Sequence, residues 1–306
     1  FWQALGVEGE LAGRGWHGFL LRYAKAIAPQ PPQLMHTLAS LPYAQIAAVA
    51  QECGVAICPL RSLQERAQDA DARHLWQQGP WAFTGGAALP APAGRTALPQ
   101  VQSTQGNLPQ AQLLQADLPQ AQLAQGDLPQ AQLPQADLPL AGLTLVESCR
   151  RIQGPLAGHL LAMLGMQVIR IEPPGGDPLR GMPPMADGVS ARFDALNRLK
   201  SVQEIDIKSA AGRTAVAALA QGADVFLHNW APGKAQEMQL DAADLARHNP
   251  ALVYAYAGGW GVGDPGLPGT DFMAQAWSGV ASRIGAASGT PGGSLFTVLD
   301  VLGGVI

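Results

Sequence analysis

The chain has 306 residues, of which 47% are hydrophobic and 14% are charged, proportions typical of a globular protein with one or two domains. Its formal net charge of −4 and its pI near 5.8 exclude a general basic surface for nucleic acid or anionic membrane. An anionic ligand would need a local cluster of cations. We expect a small soluble ligand, with no nucleic acid or membrane partner.

The sequence also bears on the cellular compartment and on membrane or metal binding. Cys53, Cys58 and Cys149 form neither an even disulfide framework nor paired CxxC spacing, which favours a reducing environment, and we expect the cytoplasm. The most apolar stretch, residues 155–171, is too short and too mixed to span a bilayer, and residues 1–15 do not have the pattern of a signal peptide. The six histidines show no ligand spacing, so we expect no metal site.

Apolar spacing in the amino-terminal part predicts a helix over residues 41–53, ended by Gly54, and then a short strand from Val55 to Cys58. A second helix is predicted over residues 62–75. Residues 79–100 are rich in glycine, proline and alanine, which is typical of a loop.

An internal repeat follows, in which leucine recurs every fifth residue between positions 106 and 143. Several of the leucines precede proline, which removes backbone donors and favours extended, polyproline-like geometry. We therefore predict a semi-stiff linker over residues 96–140. A short β-solenoid is the alternative, although eight units would make only about two coils, fewer than a stacked repeat needs to bury a core.

Strands and helices alternate after the repeat. Such alternation predicts βαβ units and a Rossmann-like open, mostly parallel α/β sheet. Ligands of such sheets lie beyond the carboxyl ends of the strands, where the loops after Glu147, Ile171, Asn229 and Ala257 are expected. The predicted strands are residues 143–148, 167–172, 202–207, 224–229 and 251–258, and the predicted helices are residues 155–165, 210–222 and 241–249.

Four predicted turns contain residues that could bind an anionic ligand. RRIQGPLAG joins a strand to a helix, with Pro155 suited to the first helical position and Gly154 to close approach of an anion, although it is equally typical of a plain connection. IEPPGGDPLRG presents Asp177 and Arg180, while LNRLKS and HNWAPG offer cations, an amide and an indole. Each cation alone is more typical of a solvated surface, so only the set suggests a nucleotide site.

The same turns, in the same order, carry a family resemblance. RRIQGPLAGHLLAMLGMQVIRIEPPGGDPLRG, LNRLKSVQEIDIKSAAGR, DVFLHNWAPG, NPALVYAYAGGWG, PGTDFMAQAWSG and LFTVLDVLGG closely resemble the amino-terminal half of class III (CaiB/BaiF) CoA-transferases. The resemblance covers about residues 141–306. Residues 41–75, with CGVAICPLRSLQE, resemble the carboxy-terminal part of the same family, so the order is inverted.

Two origins fit this order: a slice through a tandem fusion of two copies, or a permuted chain whose repeat joins the old ends. Both lack the small domain of the family. Because both ends of a family member contribute to its large domain, residues 1–95 and 141–306 could together rebuild one large domain around the 96–140 linker.

The resemblance implies transfer of CoA from an acyl-CoA to a carboxylic acid, with Asp300 as the nucleophile that forms a mixed anhydride. Asp300 lies in VLDVLGG, where we predict that it ends a strand. Asp271 is implied as an auxiliary catalytic group. Developing oxyanions need hydrogen-bond donors, and the amides of Gly303 and Gly304 are candidates, although the family uses a glycine-rich loop from another part of its chain. Coenzyme A is expected as a substrate rather than a permanent cofactor, and the implied CoA contacts are Gln153, Gly154, Arg170, Asn197, Lys200, Asn229 and Trp230.

Other interpretations remain open. Glu237 stands where the family often has an arginine, which leaves phosphate binding to Lys234. Thr270 precedes Asp271 where the related acyl-CoA racemases have histidine, which disfavours racemization. A non-catalytic CoA-binding fragment or subunit is the main alternative to the enzyme. The family forms interlocked dimers, so a homodimer is expected if the chain is complete.

Overall fold

The computed structural model describes residues 1–20, 30–85, 137–260, 268–289 and 297–306. The predicted linker therefore lies outside the described residues, except for positions 137–140 at its end. These final residues contact the adjacent α/β region, where the amide of Leu140 donates a hydrogen bond of 2.9 Å to the carbonyl of Leu164.

A five-stranded parallel sheet forms the centre of the fold, in the order β5-β2-β1-β6-β7. The predicted Rossmann-like α/β class is thereby confirmed. The strand order reverses between β1 and its neighbour β6, so a crevice opens at the carboxyl ends of these two strands. The strands are β1 Thr144–Ser148, β2 Gln167–Glu172, the two-residue β3 Met185–Ala186 and β4 Val189–Ser190 of a separate antiparallel pair, β5 Ser201–Glu204, β6 Val225–His228 and β7 Val253–Tyr256.

Helices cover the sheet and make up the amino-terminal part of the described chain. None of the described helices is both long enough and apolar enough to cross a membrane. Their bounds are α1 Gly9–Leu20, α2 Pro32–Ala39, α3 Tyr43–Glu52, α4 Leu63–Gln68, α5 Ala70–Gln78, α6 Gln153–Met163, α7 Ala191–Asn197, α8 Ala210–Gln221, α9 Lys234–Glu237, α10 Ala242–Ala246, α11 Asp271–Ser278, α12 Val280–Ser288 and α13 Val298–Val305.

The core lies on both faces of the sheet because side chains alternate along each strand. Leu145 packs with Val168 and Leu227 on the α6 face. Val146, the next residue of β1, packs with Phe226 on the opposite face, which α8 covers. Both Leu145 and Val146 are fully buried, so β1 is the central strand of the fold.

The predicted strand from Val55 to Cys58 is wrong, since these residues are irregular and pair with none of the described strands. Val55 is exposed, so burial does not favour a strand there. The helix predicted over residues 62–75 is two helices, α4 and α5, separated at Asp69. Ser62 caps α4 in a capping box with Glu65, which starts a new helix at Leu63.

Residues 1–83 and 135–306 form one compact unit. The amino-terminal segment contributes helices to this unit, whereas all five strands of the sheet come from residues 144–256. The segment therefore packs on the α/β region without completing its sheet.

Candidate active site

A cavity of about 910 Å³ lies at the carboxyl ends of β1, β2, β6 and β7. The loops that follow these strands form its wall, as the topology predicts. Five of the catalytic and CoA-contact residues implied by the resemblance line this cavity: Gln153, Asn229, Trp230, Asp271 and Asp300.

Two carboxylates meet at one side of the cavity. Asp271 is the first residue of α11 and is buried, and its Oδ2 accepts a hydrogen bond of 2.7 Å from the backbone amide of Asp300 in the first turn of α13. The Oδ1 of Asp271 accepts from Nε2 of Gln275, one turn along α11. Asp271 therefore caps α13 and fixes the backbone from which the Asp300 side chain extends.

The environment of Asp300 disfavours its ionised form. Burial is the main cause and the negative charge of Asp271 adds to it, while the positive charge of Arg151 opposes both. Together they raise the pKa of Asp300 to about 6. A carboxylate of this kind is ionised at neutral pH but more basic, and hence more nucleophilic, than an ordinary surface aspartate.

The sequence predicts that Asp300 ends a strand, and this is wrong, because Asp300 lies inside α13. The helix also affects the two glycines predicted to be oxyanion donors. Gly303 and Gly304 belong to the same helix, where they allow α13 to pack on α6: a Cβ on Gly304 would lie 2.7 Å from the Gln153 carbonyl oxygen and 2.9 Å from the Leu156 Cβ. These glycines serve helix packing, so their amides do not face the cavity as a free pair.

Asn229 and Trp230 hold the loop between β1 and α6. Asn229 accepts a hydrogen bond of 2.9 Å from the amide of Arg150 and donates one of 2.8 Å to the carbonyl of the same residue. Trp230 donates from its indole Nε1 to the Ser148 Oγ at 3.1 Å. Both side chains thus line the cavity and shape the loop that carries Gln153.

Gly154 is buried rather than open to the cavity. A Cβ at this position would lie 2.3 Å from the Cys149 sulfur, so glycine is needed for α6 to start close against β1. The helix begins at Gln153, which places Pro155 in the first turn but not at its first position.

Arg170, Asn197 and Lys200 lie outside the lining of the cavity, in a buried network beneath it. Lys200 Nζ donates to Glu147 Oε2 and to the Pro155 carbonyl, each at 2.7 Å, and to Asn197 Oδ1 at 3.0 Å. The pKa of Lys200 is lowered, because the effect of burial exceeds the opposing effect of the negative charge of Glu147. In this structure Lys200 is engaged with Glu147, Pro155 and Asn197, and neither it nor Arg170 or Asn197 lines the cavity.

The predicted turn with Asp177 and Arg180 belongs to the same network. Arg170 pairs with Glu147 at 2.5 Å and with Asp177 at 2.6 Å, and Arg180 pairs with Glu172 at 2.8 Å. Asp177 is buried, while the side chain of Arg180 is 42% exposed. The turn is thus tied to the sheet through ion pairs rather than presented to a ligand.

Three cations that line the cavity, Arg150, Arg151 and Lys208, were not predicted from the sequence. Arg151 is exposed and has a φ of 68°, a left-handed conformation that is unusual for a residue other than glycine. Lys208 follows β5, so its place near the carboxyl end of a parallel strand was a usable signal. Lys234, expected to replace a missing arginine, also lines the cavity, and its ammonium pairs with Glu237.

Comparison with known proteins shows which protein family this chain resembles. The model of CoA-transferase family III matches residues 140–306, more than half of the chain. The chain is 33% identical to succinyl-CoA:mesaconate CoA-transferase of Haloarcula hispanica, over 53% of this chain and 45% of the relative. It is 36% identical to succinyl-CoA:glutarate CoA-transferase of Mus musculus, over 49% of this chain and 35% of the relative.

A crystal structure of a CaiB/BaiF family protein from Brucella suis aligns at 36% identity and a TM-score of 0.44, over 47% of this chain and 40% of that one. The chain spans less than half the length of the curated relatives named here. The match over residues 140–306 includes every strand of the sheet and both cavity aspartates. The chain belongs to CoA-transferase family III.

Proposed function

We propose that this protein transfers CoA from an acyl-CoA thioester to a small carboxylic acid, with Asp300 as the nucleophile. The observation that carries the proposal is the paired carboxylate geometry, in which Asp271 fixes the backbone of Asp300 at the wall of a cavity of about 910 Å³. Family membership supports the same reaction class.

In the proposed reaction, a carboxylate oxygen of Asp300 bonds to the thioester carbonyl carbon and the carbon–sulfur bond breaks, which releases CoA thiolate. The thiolate attacks the Asp300 acyl carbon, forming an aspartyl thioester and releasing the donor acid. The acceptor carboxylate attacks this thioester, forming a second anhydride and freeing the thiolate again. Attack of the thiolate on the acceptor acyl carbon gives the new acyl-CoA and restores Asp300.

Asp271 supports these steps as a positioning group. Its charge raises the pKa of Asp300 and its Oδ2 fixes the Asp300 amide, so it tunes and orients the nucleophile without entering the covalent chemistry. Thr270, which precedes it, has no side chain able to act as a general base near neutral pH, so the proposal stays with transfer rather than racemization.

Coenzyme A enters as a substrate in this proposal. Arg151 and Lys208 supply positive charge at the cavity, and Trp230 offers an aromatic surface. Because named relatives act with succinate, glutarate or mesaconate, such acids are the first acceptors to test. A homodimer is proposed for a complete chain, as the family resemblance implies.

A non-catalytic CoA-binding role is the competing proposal. One observation favours it: Gly303 and Gly304 are engaged in helix packing. Transfer needs a group that stabilises the oxyanion, and these two amides do not supply one.

A transfer assay separates the two proposals. The protein is incubated with succinyl-CoA and free glutarate, and new thioester is quantified chromatographically, with Asp300→Asn as the matched control and CoA binding measured by calorimetry. Glutaryl-CoA formed by the parent chain and lost in Asp300→Asn supports transfer. CoA binding without any new thioester supports the non-catalytic role instead.

A further inference from the structure

Two arginines of the amino-terminal segment pack against an aromatic side chain of α11. The guanidinium carbons of Arg61 and Arg66 lie 5.2 and 5.0 Å from the ring centroid of Trp277, near the carboxyl end of α11. Cations at this distance are attracted by the negative face of an indole. Two such contacts on one ring make Trp277 the anchor between the two parts of the chain.

Both guanidiniums are themselves held in place. Arg61 pairs with Asp69 at 2.9 Å, and Arg66 pairs with Asp69 at 2.5 Å and with Asp71 at 3.2 Å. Arg66 is 9% exposed, so solvent competes little for its charge. The aspartates orient the cations over the ring, which gives the contact a defined geometry.

Backbone atoms of the amino-terminal segment and of α11 also contact each other directly. The amide of Arg61 donates a hydrogen bond of 3.0 Å to the carbonyl of Ala276. Gly279, with a φ of 90°, ends α11, and a Cβ there would lie 2.7 Å from the backbone nitrogen of Leu63. A side chain at position 279 would force the two backbones apart, so the approach depends on glycine.

The other end of α11 carries Asp271, which caps α13 beside Asp300. The helix has eight residues, a length of about 12 Å at the usual rise of 1.5 Å per residue. A helix this short transmits displacement of one end to the other, because its backbone hydrogen bonds keep it rigid. Trp277 and Asp271 are therefore linked mechanically.

We propose that Arg61 and Arg66 are positioning residues, which hold α11 through Trp277 and thereby keep Asp271 against the amide of Asp300. The amino-terminal segment is then a working part of the candidate active site, although its described residues contribute no strand to the sheet and do not line the cavity. This role does not depend on the proposed reaction, because it concerns the geometry of the Asp271–Asp300 pair itself.

The test follows the titration of Asp300 in the full chain, so it does not depend on transfer activity. Aspartate carboxyl carbons are labelled with ¹³C, and the Asp300 signal is assigned by its loss in Asp300→Asn. The charged groups facing Asp300 are Asp271 from α11 and Arg151 from the β1–α6 loop. Release of α11 would move Asp271 away and admit water, and each change lowers the pKa of Asp300.

We expect Trp277→Leu to lower the pKa of Asp300, and the double variant Arg61→Gln/Arg66→Gln to lower it similarly. Combining all three changes should give no further shift, because both variants break the same contact. Arg61→Lys/Arg66→Lys, which keeps both cations, should restore part of the parental value. The matched control is Trp81→Leu, since Trp81 belongs to the same segment but is exposed and stacks on Phe83.

Where transfer activity is measurable, the released variants should also lose on the order of tenfold in kcat, because small displacements of reacting groups are costly. The proposal is overturned if Trp277→Leu and the double glutamine variant both fold and titrate Asp300 as the parent does. It is equally overturned if the lysine variant behaves like the glutamine variant, or if Trp81→Leu shifts the pKa by the same amount. Should Trp277→Leu fail to fold, the arginine variants decide the matter, since they leave the indole in place.

Discussion

The backbone amide of Asp300 donates a hydrogen bond of 2.7 Å to the Asp271 carboxylate, so one aspartate fixes the main chain of the other. Asp271 lies 29 residues earlier in the chain and opens a different helix. Its charge lies close enough to help raise the pKa of Asp300 to about 6. A single side chain therefore positions the candidate nucleophile and adds to the effect of burial in raising its pKa.

Neutralising Asp300 should stabilise the protein at neutral pH. The pKa is raised from its ordinary value of 3.8 to about 6, so the folded state holds more protons than the unfolded state between these values. Stability contributed by Asp300 is therefore present at low pH and is lost as pH rises through 6. We expect Asp300→Asn to gain about 1 kcal/mol of unfolding free energy at pH 7.5, allowing for partial exposure.

Urea denaturation at several pH values measures this gain. The advantage of Asp300→Asn should shrink below pH 6 and vanish below about pH 4, where the parent aspartic acid is protonated in both states. A variant that is less stable than the parent at pH 7.5 would show that the ionised carboxylate is stabilised in the fold, contrary to this description.

Removing Arg151 should move the acidic limb of the pH–rate profile to higher pH. Its positive charge lowers the pKa of Asp300, so in Arg151→Gln the carboxylate protonates at higher pH and activity falls sooner on acidification. Arg151→Lys is the matched control, because it keeps the charge. Initial rates between pH 5 and pH 8 report the effect, and an acidic limb that stays in place in Arg151→Gln would contradict it.

The buried network beneath the cavity should matter for folding. Lys200→Met leaves the buried carboxylate of Glu147 without one of its two cations, and we expect a loss of about 3–5 kcal/mol in unfolding free energy. Arg180→Gln removes a partner whose side chain is 42% exposed and should cost less than about 1 kcal/mol. Chemical denaturation compares them; similar losses in the two variants would show that burial does not set the cost.

Packing of α13 on α6 should not tolerate a methyl group at Gly304. A Cβ there meets the Gln153 carbonyl at 2.7 Å, so we expect Gly304→Ala to destabilise the protein by about 1–3 kcal/mol. Gly13, inside α1, has open space around its Cβ position, so Gly13→Ala should be neutral or slightly stabilising. Thermal unfolding measures the stability of both variants. Equal stability of Gly304→Ala and Gly13→Ala would contradict close packing of α13 on α6.

Periodicity predicts the sheet well. All five strands of the parallel sheet lie within a few residues of their predicted bounds. The inner strands β2, β1 and β6 are mostly buried apolar runs between helices, whereas the edge strands β5 and β7 are more exposed. The exception is Val55–Cys58, where an apolar run exists but no strand lies beside it. Local sequence cannot show whether a partner is present, and pairing decides whether an apolar run becomes a strand.

The site is predicted less completely. Motif order indicates Gln153, Asn229, Trp230, Asp271 and Asp300, which meet at one cavity. It does not show that Asp300 lies in a helix, since the β-branched run TVLDV also suits a strand and contact with α6 through Gly303 and Gly304 favours the helix. Nor does it show that Arg170 and Lys200 are buried, because both pair with Glu147, which lies 23 residues before Arg170 and 53 residues before Lys200.

Asp300 is proposed to form a covalent acyl intermediate. The most direct measurement is incubation with a panel of acyl-CoA thioesters, followed by hydroxylamine trapping and intact-mass analysis of the parent chain and Asp300→Asn. We predict a mass increase that matches aspartyl hydroxamate in the parent and is absent from the variant. An unmodified parent chain that still binds CoA, or an adduct that survives in Asp300→Asn, would contradict the account.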